Sequence, residues 1–137
     1  MSTISERHAT IKEVVNRNPD NVANVSAVLW EKLASELVPI IGEEGFATLY
    51  ARSVHKDARF PMSISKPTTK ADAFATLKAE LESCDSSQAI EVSVALFITF
   101  LDILAQLIGD QLTFRILVIA WGEYFSPDNI SENSQNG

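Results

Sequence analysis

The 137 residues carry 18 Asp and Glu against 11 Lys and Arg, a formal charge of −7, and 46% of them are hydrophobic. A chain of this size makes one domain with a real core, and its negative field repels phosphate backbones and anionic lipid surfaces, which argues against nucleic-acid and membrane partners. The single cysteine, Cys84, excludes an internal disulfide framework and a Cys-pair metal site and fits a reducing cytoplasm.

The opening stretch MSTISERHATIKEVVNRN has no apolar run behind its charges, so it reads as neither signal peptide nor anchor. Ile4, Ile11, Val14 and Val15 recur at helical spacing, which predicts a short amphipathic helix over 4–17, with residues 1–20 a peripheral segment on the body. NRNPDN then makes a turn, because Asn and Asp stabilise turns and Pro19 restricts the residue before it. From Asn21 the positions Val22, Val25, Leu29, Leu33, Leu37 and Ile40 repeat every three or four residues, a strong helical period. A further helix is predicted over 43–55, with Phe46, Leu49, Tyr50 and Val54 inward and Glu43 and Glu44 near its positive end.

Residues 56–69 are the longest break, since Pro61 and Pro67 push their predecessors out of helical geometry. Thr69, with Asp72 three residues on, is a cap signal for a helix through Phe74, Leu77 and Leu81. Asp85 with Gln88 resembles a capping box and opens the apolar helix that runs to Ile108. That segment carries Asp102 and Gln106 and lacks the roughly 20 uninterrupted apolar residues a bilayer needs, so a buried central helix explains it better than a membrane span. A last helix is predicted from Asp110 to Tyr124. Residues 127–137, PDNISENSQNG, have little to bury and are expected to form a disordered tail after a single domain over 1–126. No stretch alternates with a period of two long enough for a strand. The fold class is all-α: a helical bundle of about five long helices plus a short N-terminal one.

IIGEEGF at 40–46 returns as LIGDQLT at 107–113, an offset of 67 residues. Aligned that way, Leu29 falls on Leu96, Trp30 on Phe97, Leu33 on Phe100, Leu37 on Leu104, Ile40 on Leu107, Gly42 on Gly109 and Glu43 on Asp110. Two copies point to two pseudo-repeated helical hairpins. Gly42 and Gly109 are expected to be structural turns in the left-handed conformation that ends helices, the other reading being close helix contacts in unbroken helices. In a hairpin centred on Gly109, Asp102 and Arg115 lie at similar distances from the turn and are expected to pair.

LVPIIGEEGFATLYARSVHKDARFP together with LIGDQLTFRILVIAWG resembles a family of small, uncharacterised all-helical bacterial proteins. In these, an Ile-Gly-Glu-x-Gly-Phe segment precedes Leu-Tyr-x-Arg-Ser and a Phe-Pro, and a second Ile-Gly-Glu segment leads into a Leu-rich run ending in Ala-Trp. The resemblance covers residues 28–122. This chain departs from it at Met62, where a bulky aromatic is expected, and at Asp110 in place of the second Glu. The resemblance implies a bacterial cytosolic protein accessory to signalling, and carries no chemistry across.

Convergent polar groups are sparse. His8 and His55 lie far apart in the sequence, and neither has a Cys, Asp or Glu at metal-ligand spacing. Cys84 beside Asp85 sits in an acidic neighbourhood that discourages a thiolate. No phosphate loop, nucleophile elbow or di-iron motif appears, so no catalytic residue, metal or cofactor is predicted and the chain reads as a non-enzyme. Tyr50, Arg52 and His55 with Arg59 and Phe60, and Trp121, Tyr124 and Phe125, form the candidate interaction surface, because Arg and aromatic side chains are enriched in hot spots. For each group the alternative is structural: loop anchoring by the first and core closure by the second. The leading expectation is a homodimeric helical interaction protein with an unidentified protein partner. The competing one is a small-molecule sensor or carrier with an apolar pocket between the hairpins.

Overall fold

The computed structural model describes residues 3–56 and 70–122, and every regular element among them is helical. α1 is Thr3–Asn16, a single 3₁₀ turn covers Pro19–Asn21, and α2 is Val22–Lys56. α3 is Lys70–Glu82, α4 is Ser86–Ile108 and α5 is Asp110–Trp121. The all-α expectation holds. At the start of α4 the Asp85 carboxylate accepts the Gln88 N–H at 2.8 Å, satisfying one of the donors that a helix start leaves open. The cap signal at Thr69 and Asp72 lies outside the described side chains.

α2 is two arms joined at a corner. Gly42 has φ 83° and ψ 163°, and Gly109, between α4 and α5, has φ 95° and ψ 155°. These are the described residues with positive φ. Their ψ values differ from the left-handed helical cap expected from the sequence. They fall instead in the extended positive-φ region that is essentially closed to residues with a Cβ. Hydrogen bonds of helical span meet at the second corner: Gly109 N–H donates to Ala105 O at 2.8 Å, and Gly109 O accepts both Thr113 N–H at 3.1 Å and Thr113 Oγ1 at 2.7 Å. No connecting loop is therefore needed. Unbroken helices at these glycines are excluded. Gly45, in the second arm of α2, serves a different purpose, since a Cβ there would lie 3.3 Å from Ile41 Cβ, a tight contact across the corner.

α2 and α4 are the central pair; α3 and α5 both lie against α2, while α1 lies mainly along α4 and also touches α5. Trp30 is the hub of the core. Its ring stacks on Phe97 with centroids 4.5 Å apart and meets Phe100 and Tyr50 edge-on at 4.9 and 5.0 Å, with Phe74 and Phe46 further out. One turn earlier on both helices, Ser26 and Ser93 share a buried hydrogen bond. Leu29, Leu33, Leu37, Leu96, Leu101 and Leu104 complete this seam with no exposed surface. Each such side chain contributes roughly 1.5–3 kcal/mol of transfer free energy.

α4 is the helix among those described that is long and apolar enough to cross a membrane. Its Leu96, Phe97, Phe100, Leu101 and Leu104 are nevertheless enclosed by neighbouring helices. α1 is less peripheral than its polar composition implies. Arg7, Ile11, Val14 and Val15 are at most 1% exposed and form one stripe along its inner face. A helix needs only such a stripe to dock, whatever covers the rest of its surface.

Candidate functional site

The structure separates the residues that the sequence grouped as an interaction surface. Tyr50 and Trp121 belong to the core. The Tyr50 ring packs edge-on to Trp30 and to Phe74, the latter at 5.9 Å, and its hydroxyl finds no hydrogen-bond partner. Burial pushes the Tyr50 phenol well above its ordinary value, so it stays neutral. Trp121 is fully enclosed, its Nε1 donates to Leu29 O at 3.0 Å, and its ring meets Phe97 edge-on at 4.8 Å. Both aromatic rings close the bundle, and neither is available to a partner. Arg52 and His55 are exposed near the C-terminal end of α2, where positive side chains complement the helix dipole. Arg59, Phe60, Tyr124 and Phe125 lie outside the described residues.

Asp102 does not pair with Arg115. It lies on the face of α4 that receives α1, and its Oδ1 accepts Arg7 Nη2 at 2.8 Å. His8 Nε2 sits 2.9 and 3.1 Å from the two carboxylate oxygens. Arg7 Nη1 reaches Asp110 at the first turn of α5, over a longer 3.4 Å. The Arg7 side chain is 1% exposed, whereas Asp102 and Asp110 are 38% and 47% exposed. Arg7 Nε has no partner. This cluster fastens α1 to α4 and α5, and Arg115 remains exposed on the outer side of α5.

Among the described residues His8 bonds to Asp102 alone. No group of three or more His, Cys, Asp or Glu among those residues is arranged to hold a metal ion. Cys84 is half-buried, and its Sγ donates to Glu80 O at 3.3 Å.

The cluster was missed in the sequence because its partners stand 95 and 103 residues apart. A signal was present. Arg7 falls on the same helical stripe as Ile11 and Val14, which marks it as a charge in a core position, and Asp102 is the one charged residue of α4 between Val92 and Ile108. Opposite charges at two such positions are natural partners, since a buried charge has to be matched.

The open surface is at α2 and α5. A groove of about 580 Å³ runs between them, with Val28, Glu31, Lys32 and Glu36 on one wall and Ile119 on the other. Val28 and Ile119 are 41% and 58% exposed, and Leu112 and Val118 are exposed on the same helix as Ile119. A second groove, of about 510 Å³, lies between α1 and α4 beside Lys12, Ile90, Glu91 and Ile98. No protein family matches the chain, and neither curated proteins nor solved structures yield a match.

Proposed function

We propose that this chain is a non-catalytic helical interaction protein of the bacterial cytoplasm, accessory to signalling, that binds protein partners through the outer surface of α2 and α5. The observation that carries the reading is Ile119 on α5, 58% exposed and facing Val28 across an open groove, with Leu112 and Val118 also exposed on the same helix. Exposed apolar side chains gathered in a patch are what an interface buries. The packing between α2 and α4 favours this over a carrier: Trp30, Phe97 and Phe100 occupy the seam where an apolar ligand between the hairpins would sit.

The repeated hairpin belongs to the same reading. Ser26 with Ser93 and Trp30 with Phe97 are pairs at the offset of 67, and in each pair the two residues meet directly. Contacts of this kind are expected where two related units pack about a twofold axis, which also places the two glycine corners at equivalent points.

Affinity capture with the immobilised wild-type chain and with Ile119→Lys, read by mass spectrometry, tests the reading. A protein retained by the wild type and lost from the variant is the expected result. A stoichiometric small molecule in native mass spectra, with no protein retained, would overturn the reading in favour of the carrier.

A further inference from the structure

We draw no further inference here: the strongest candidate, the groove between α2 and α5 with Val28 and Ile119 exposed on its walls, carries nothing, because nothing in the structure shows what covers it.

Discussion

α1 and α3 each lie across the central pair with one large side chain fully inserted, and the two inserted residues could hardly differ more. Phe74 of α3, 3% exposed, settles against Trp30, Phe46 and Tyr50 with ring centroids about 6 Å away. Arg7 of α1, 1% exposed, reaches Asp102 and Asp110. The first seat is held by apolar area and tolerates small changes in its neighbours' geometry. The second depends on a few oriented bonds around a charge that water no longer reaches. A helix with mostly polar composition can therefore be as deeply anchored as an apolar one, but its anchorage fails differently.

Removing each anchor tests that contrast. Phe74→Ala should cost about 3–5 kcal/mol, as truncations of buried aromatic residues do, measured by chemical denaturation. Asp102→Ala should cost somewhat less, roughly 2–3 kcal/mol, because the stranded Arg7 keeps Asp110 nearby and the lost carboxylate was partly hydrated. The two losses should also differ in kind. Hydrogen exchange should rise over α1 in Asp102→Ala with α3 protected, and replacing both partners, Arg7→Met with Asp102→Leu, should recover most of the loss. An unrecovered double variant would mean that the charges do more than fill space.

The corners offer a matched pair. Gly42→Ala and Gly109→Ala should each cost about 1–3 kcal/mol, from backbone strain alone, because a Cβ at either glycine meets no atom within 4 Å. Markedly unequal costs would show that one corner yields where the other does not. The smallest effect at neutral pH is expected at Tyr50. Tyr50→Phe removes a hydroxyl that has no partner, so stability should hold or rise slightly. Alkali separates the two proteins. Burial raises the folded-state value of this phenol, so the unfolded chain releases its proton first, and its contribution is full below about pH 10 and declines above it. Denaturation midpoints of wild type and Tyr50→Phe should diverge there, with the wild type falling faster.

Local patterns carried most of the fold. The periodicity from Val22 to Ile40, the cap at Asp85 and the corners at Gly42 and Gly109 all depend on residues within a few positions of one another. The Arg7 seat depends on residues nearly a chain length apart. Tyr50 and Trp121 were ambiguous for a different reason: an aromatic residue near a helix end suits an exposed anchor and a core plug equally, and only the packing of Trp30 and Phe97 decides. The exposed aliphatic side chains on α5 were hidden as well. With Leu112, Phe114, Ile116, Leu117, Val118 and Ile119 so closely spaced, Gln111 and Arg115 are too few polar residues to show that aliphatic side chains also turn outward.

The buried pair Ser26 and Ser93 also fixes how α2 may slide along α4. Aliphatic seams are forgiving of such movement, since one leucine replaces another after each turn. A shift by one turn, about 5.4 Å, would part these two hydroxyls and carry Trp30 off the face of Phe97 in the same movement. The crossing of the two central helices therefore has a single register, set by its smallest side chains together with its largest.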